Sequence, residues 1–126
     1  TADFRRLAIA NPALAPYGRA AMEAIDKLGQ RERVEGKLVV GENVGQAFQY
    51  VVSGNAELGL VAWSLLHQGD RPMRGSWWLV PESLHGPIEQ QAVQLKTGQA
   101  AETFLAFLRS KKAIEILRAY GYGVPR

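Results

Sequence analysis

The sequence predicts an α/β fold, a three-layer αβα sandwich in which a mostly parallel β-sheet is covered by helices. Two observations predict it. Short apolar runs alternate along the chain with longer segments whose apolar residues recur every three or four positions, the period of a helix. The chain also has 126 residues, enough for one hydrophobic core of useful size.

The first two predicted strands are each followed by a helix. Residues 6–10 (RLAIA) form the first strand, and residues 17–28 form an amphipathic helix that ends at Gly29. Residues 37–40 (KLVV) form the second strand, and residues 43–53 the helix that follows it. Such repeated strand–helix–strand units favour a parallel sheet.

The second of these helices has a clear start signal. Asn43 is a favoured N-cap residue, and Gln46 stands three residues later, the spacing of a capping box. Beyond this helix, residues 58–62 (LGLVA) form a third strand, whose apolar character predicts burial on both faces. Residues 64–68 are expected to form a short helix.

Two further strands are predicted in the second half of the chain, at residues 76–80 (SWWLV) and 90–95 (QQAVQL). Trp77 and Trp78 are neighbours on the first of these, so we expect one in the core and the other at the surface or in an interface.

Two helices are expected to close the chain. The first carries an apolar stripe, and the second is capped by Ser110 and ends at Gly121 and Gly123. The stripe consists of Ala101, Phe104, Leu105 and Leu108.

The composition excludes several kinds of site. Cysteine is absent, which removes disulfides, zinc–thiolate sites and thiol catalysis. The formal net charge is +3, but the basic residues form scattered pairs and not a stripe interleaved with aromatics, so nucleic-acid binding has little support. His67 and His85 have no carboxylates at ligand spacing, which disfavours a metal site.

Two predicted helix starts carry the features of an anion site. Ligands of parallel sheets bind beyond the carboxyl ends of the strands, at helix N-termini. Pro16 suits the first helical position, and it leaves the N–H groups of Tyr17 and Gly18 without intrahelical partners. Asn43 and Val44 open the next helix in a similar way. Two converging helix dipoles would attract an anion.

The same residues also have a purely structural interpretation. Proline, glycine and asparagine turn the chain and cap helices at ordinary strand-to-helix connections. From the pattern alone this interpretation is the favoured one, because the sequence contains no phosphate-binding P-loop motif.

Four motifs, in a fixed order, resemble those of a known family. The motifs are RLAIANPALAPYGRAAMEAIDKLG, KLVVGENVGQAFQYVVSGNAELGLVAWS, VPESLHGPIEQQAV and a closing AYGYG. Together they resemble the periplasmic molybdate-binding proteins of bacterial ABC transporters, from about Arg6 to the end of the chain. This resemblance raises the anion-site hypothesis above the structural one.

The resemblance implies a binding site made of neutral donors. Members of this family have the type II periplasmic binding fold, whose two lobes close on molybdate or tungstate. It implies that Tyr17 and Val44 donate backbone N–H groups to the oxyanion, with Gly18 and Asn43 adjoining them. Some members use a tyrosine hydroxyl where this sequence has Ala62, and Tyr17 would supply that hydroxyl here. No cofactor and no direct protein–metal ligand is expected, because the metal is held through its oxygens.

The resemblance also implies an organisation in lobes. Residues 1–88 correspond to the second, ligand-binding lobe, and residues 89–126 to a hinge-return strand and a helix pair that packs on the first lobe. The first lobe precedes this region in the family, so the chain is expected to hold half of a cleft. The expected location is the periplasm and the expected partners are the membrane permease subunits, with dimerisation or domain swapping through the exposed helix pair.

Two other functions stay open at this point. The effector-binding domain of a LysR-type transcription regulator has the same fold and would be preceded by a helix-turn-helix. An α/β enzyme fragment would carry a reactive residue at a strand end, and the sequence shows no nucleophile elbow or paired carboxylates of that kind.

Overall fold

The structure is a computed structural model that describes residues 3–67 and 75–124. Its elements in chain order are β1 (Leu7–Ala10), α1 (Pro16–Lys27), α2 (Arg31–Val34), β2 (Leu38–Gly41), α3 (Val44–Val52), β3 (Leu58–Gly59), α4 (Trp63–Leu66), a 3₁₀ turn (Glu82–Leu84), α5 (Gln99–Leu108) and α6 (Lys111–Ala119). None of the helices in these two ranges combines the length and the apolar character that a membrane span requires.

A three-stranded parallel sheet forms the centre of the fold, in the order β2-β1-β3. In β1, Leu7 lies opposite Leu38 of β2 and Leu58 of β3. All four residues of β1 are buried. A central parallel strand is covered on both faces, which explains its continuous apolar sequence.

Helices cover both faces of the sheet, because successive side chains of β1 point in opposite directions. On one face the buried cluster joins β1 to α1 and α2: Leu7, Ile9, Ala21, Ile25 and Val34. On the other face it joins β1 to α3 and the turn that follows it: Ala8, Ala47 and Ala56. The predicted αβα layering and the parallel sheet are therefore confirmed.

The predicted start of α3 is also confirmed. The Asn43 side chain accepts a hydrogen bond from the Gln46 N–H at 2.9 Å. The Gln46 side-chain oxygen accepts from the Glu42 N–H at 2.7 Å, one residue before the position that a standard capping box uses. The first two strand–helix units begin and end within one residue of their predicted bounds.

The prediction of two strands in the second half of the chain is wrong. Residues 76–80 and 90–95 form no strand, and the third strand is reduced to Leu58–Gly59. A strand needs the backbone of a neighbouring strand, and within the described ranges these segments have none. Trp77 and Trp78 are 53% and 61% exposed, so neither lies in the core. The short helix predicted at residues 64–68 begins at Trp63, one residue earlier than predicted. Residue 68 lies outside the described residues.

The segment around the 3₁₀ turn is fastened to α1. The Glu23 carboxylate accepts the Gly86 N–H at 2.6 Å, and the Lys27 ammonium donates to the Ser83 carbonyl at 3.0 Å. Next to Gly86, His85 places its Nδ1 2.7 Å from the Gly86 carbonyl oxygen.

The two closing helices form as predicted, and the Ser110 hydroxyl accepts the Ala113 N–H at 3.2 Å. They are little buried. Within the described ranges α5 has no buried residue, and α6 has only Ala113. Of the predicted stripe, Phe104 is 58% exposed.

Candidate functional site

Three loops meet at one edge of the sheet because the three strands are parallel. β1 ends at Ala10, β2 at Gly41 and β3 at Gly59. A helix follows each of these strands along the chain. The starts of α1 and α3 thus lie beyond the carboxyl ends of adjacent strands, the usual position of ligand sites in such sheets.

Asn11 organises the first of these loops and links it to the second. Its side chain accepts the Ala13 N–H at 2.9 Å, and its carbonyl accepts the N–H groups of Leu14 at 3.1 Å and Ala15 at 2.8 Å. Its own N–H donates to the Gly41 carbonyl at 2.8 Å. The loops before α1 and α3 are therefore held together through one residue. This role of Asn11 was not predicted, although an Asn–Pro pair after a strand is a typical turn signal.

The Tyr17 amide is a free donor at the start of α1. Pro16 occupies the first helical position, and the N–H groups of Gly18 and Arg19 both donate to the Ala15 carbonyl, at 3.0 and 3.2 Å. Among the hydrogen bonds between described residues, none uses the Tyr17 N–H. This amide is available to a ligand.

Gly18 has a packing role beside β1. A Cβ atom at this position would overlap the Ala10 carbonyl and approach the Asn11 backbone to 2.7 Å. Its missing side chain lets α1 approach the end of β1, and its N–H is already engaged by Ala15. The structure therefore supplies a packing reason for Gly18, while its predicted part in ligand binding stays a prediction.

The start of α3 presents free amides in the same way. The Asn43 side chain and carbonyl accept the N–H groups of Gln46 and Ala47. Within the part of the chain that the structure describes, the Val44 and Gly45 N–H groups have no hydrogen-bond partner. Asn43 itself acts as the cap that orients them.

The electrostatics of the two helix starts favour an anion. Neither α1 nor α3 has an acidic residue in its first turn, so the positive end of each dipole is not offset there. Burial, and secondarily the nearby Tyr122, raise the pKa of the Tyr17 hydroxyl above its ordinary value. At neutral pH this phenol is protonated and is a hydrogen-bond donor. No local pattern in the sequence indicates the effect of Tyr122 on this pKa.

This arrangement offers N–H and O–H donors without a basic side chain among the predicted site residues. It suits a fully deprotonated oxyanion better than one that carries a proton, because a proton would need an acceptor. Ala62, at the end of the third loop, is buried and adds no polar group.

The two histidines are engaged locally. The His67 Nδ1 lies 3.3 Å from the Trp63 carbonyl oxygen, and its ring lies 4.3 Å from the Trp63 ring. Over residues 3–67 and 75–124 no three histidine or carboxylate side chains come together as a metal site.

Comparison with known proteins assigns the family. The family model described as bacterial extracellular solute-binding protein matches residues 1–123. The chain belongs to this family. Among curated relatives, the molybdate-binding protein ModA of Azotobacter vinelandii is 46% identical over 124 residues, and that of Rhodobacter capsulatus is 46% identical over 123. These alignments cover 96% and 95% of this chain but 49% and 48% of the relatives, so the chain spans about half their length.

A solved member of this family has the same fold. The Azotobacter vinelandii periplasmic molybdate-binding protein superposes with a TM-score of 0.91 and 35% identity, over 100% of this chain and 57% of that one. The relatives are solute-binding proteins and not enzymes. Of the functions that the sequence left open, solute binding is favoured over transcription regulation and catalysis.

Proposed function

We propose that this chain forms one wall of an oxyanion site in the solute-binding component of an ABC transporter, with molybdate or tungstate as the ligand. The observation that carries this proposal is the pair of free amides, Tyr17 and Val44, at two helix starts joined through Asn11. The similarity to named molybdate-binding proteins supports the choice of ligand.

Neutral donors explain how such a site would select its anion. Fixed amides respond to the size of the ligand, and hydrogen bonds weaken steeply when they are stretched or bent. Molybdate and tungstate have longer metal–oxygen bonds than the bonds of sulfate or phosphate. A cage fitted to the larger anions would leave the smaller ones with stretched hydrogen bonds.

The same proposal names the location and the partners. A transporter component of this kind would work in the periplasm and deliver its ligand to membrane permease subunits. Residues 1–88 would be its ligand-binding lobe and residues 89–126 its return segment and closing helices. In the transporter component the helix pair would pack on the first lobe, and in this chain by itself it would pack against a second copy, in a dimer or a domain swap.

Val44 permits a sharp test, because it is the first residue of α3 after its cap. Proline is favoured at that position and has no N–H, so Val44→Pro removes the proposed donor while the helix is retained. Gln99→Pro makes the same change at the first position of α5 and is the matched control. Tyr17→Phe removes only the hydroxyl.

We would follow the backbone amides by NMR during titration with tungstate, and with sulfate as the control anion. We expect tungstate to shift the signals of Tyr17, Val44 and Gly45 selectively. Val44→Pro should weaken this response at Tyr17, and Gln99→Pro should leave it unchanged. Equal responses to sulfate, or shifts that avoid both helix starts, would contradict the proposal.

A further inference from the structure

The carboxyl edge of the sheet carries few charged residues. The three loops at this edge, with the first turns of the helices that follow them, span residues 11–19, 42–47 and 60–66. The charged residues in these ranges are Arg19, in the first turn of α1, and Glu42, just before the cap of α3. Both are exposed. The charge of this edge therefore depends on two side chains of opposite sign.

The Arg19 guanidinium has no partner in the described part of the chain. None of the hydrogen bonds and ion pairs of residues 3–67 and 75–124 uses this side chain. Glu23 follows four residues later, a spacing that allows an ion pair on a helix. Its carboxylate instead accepts the Gly86 N–H at 2.6 Å. The positive charge of Arg19 is thus not offset by an ion pair there.

This charge has the same sign as the helix dipole at the candidate site. Arg19 stands two positions after Tyr17, whose amide is free, and its own N–H donates to the Ala15 carbonyl at 3.2 Å. The dipole of α1 acts like about half a positive charge and only near its first turn, whereas a full charge acts over about 10 Å at 0.1 M salt. Arg19 therefore extends the attraction for an anion beyond the reach of the amides.

We propose that Arg19 is a steering residue for the oxyanion: its charge speeds the approach of a dianion, which the neutral amides of Tyr17 and Val44 then hold. Glu42 repels the same anion and slows its approach. Charges at the edge of a site change the association rate and its salt dependence, whereas the geometry of the donors determines which anion fits. The inference rests on the proposed function, because it concerns how fast that site is filled.

The test extends the NMR titration with tungstate. Line shapes of the Tyr17 and Val44 amides give the association and dissociation rate constants in about 0.01 M and about 1 M sodium chloride, between which the Debye length falls from about 30 Å to about 3 Å. We expect Arg19→Gln to lower the association rate constant roughly two- to fivefold at low salt and to leave the dissociation rate constant unchanged. The difference should vanish at high salt.

Three further variants separate the charge of Arg19 from other roles. Arg19→Lys keeps the charge and should associate with tungstate like the unmodified chain. Glu42→Gln removes the opposing charge and should raise the association rate constant at low salt. Arg6→Gln is the matched control: it makes the same change in net charge directly before β1, at the opposite edge of the sheet, and should have a clearly smaller effect than Arg19→Gln.

Equal association rate constants for Arg19→Gln and the unmodified chain at low salt would overturn the inference while the proposed function stands. A slower association of Arg19→Lys would also overturn it, because the charge is then not what matters. A dissociation rate constant that rises in Arg19→Gln and stays high at high salt would replace steering by a direct contact with the ligand. If the amides of the unmodified chain do not respond to tungstate, the proposed function fails and this inference fails with it.

Discussion

At the scale of single residues, a missing side chain determines how α1 sits on the sheet. Gly18 lies against the Ala10 carbonyl, the last residue of the most buried strand. The backbone of that strand is held by hydrogen bonds to both neighbours and cannot move away easily. A larger residue at position 18 must therefore displace the helix.

We predict that Gly18→Ala destabilises the chain, although alanine is the better helix former. Overpacking of this kind costs about 1–3 kcal/mol, which exceeds the gain in helix propensity of about 1 kcal/mol. Urea unfolding followed by circular dichroism measures the difference. Gly123→Ala is the control, because a Cβ atom there has no neighbour within 4 Å and should change stability by less than about 0.5 kcal/mol. Equal stability of Gly18→Ala and the unmodified chain would contradict the packing role.

The residues of the candidate site differ in how far the sequence reveals them. Asn43 is recognisable as a cap from its type and from the spacing to Gln46, because capping is a local interaction. The effect of Tyr122 on the pKa of Tyr17 is not recognisable, since it depends on how the end of the chain folds back. Asn11 lies between these cases, with a local turn that the sequence signals and a contact to Gly41 that it does not.

At the scale of elements, the difference between local and long-range interactions also explains why the helices were predicted better than the strands. Helices α1, α3, α5 and α6 were predictable because each carries an apolar stripe, and α3 and α6 also begin with the capping residues Asn43 and Ser110. The segments 76–80 and 90–95 have strand-like sequences, but a strand also needs a partner backbone. The segments' own sequences do not reveal whether a partner strand exists, and within the described residues there is none.

One element-scale contact holds the segment after residue 81 on α1. The Glu23 carboxylate accepts the Gly86 N–H, and it is a charged acceptor, which makes stronger hydrogen bonds than a neutral one. We predict that Glu23→Ala raises the hydrogen-exchange rate of the Gly86 amide roughly tenfold or more. It should also make the segment more sensitive to limited proteolysis.

The control for this prediction is Glu32→Ala, which removes an exposed carboxylate from the neighbouring helix α2. It should leave Gly86 exchange unchanged. If Glu23→Ala and Glu32→Ala give the same exchange rate at Gly86, the carboxylate does not hold this segment.

At the scale of the whole molecule, the chain exposes more surface than its length requires. Its accessible surface is 9714 Å². A compact monomer of this size exposes about 6,600 Å². The excess of about 3,100 Å² on this one chain is larger than the roughly 1,000–2,500 Å² that each partner contributes to a permanent interface. Large apolar side chains contribute to it, among them Trp77, Trp78, Val93, Leu95 and Phe104.

We predict that the isolated chain self-associates in a concentration-dependent way, because burial of this apolar surface is favourable. Size-exclusion chromatography with light scattering measures the mass. The double substitution Phe104→Ser with Phe107→Ser should shift the population toward monomer, since both rings on α5 are exposed, by 58% and 42%. Glu102→Ser, on the same helix, should not. A monomer at every concentration would contradict this prediction.

The free amides at the starts of α1 and α3 have a consequence for how the site tolerates mutation. The donors that we assign to Tyr17 and Val44 are backbone amides, which every amino acid except proline supplies. Most codon changes at these two positions would therefore preserve the amide donors, whatever side chain they install. Under the proposed function, an alanine scan would score Val44 as unimportant, although its N–H would donate to the ligand. Binding chemistry of this kind tolerates genetic drift at the contact residues, and it is vulnerable instead at residues that shape the backbone, such as Asn11, Pro16 and Asn43.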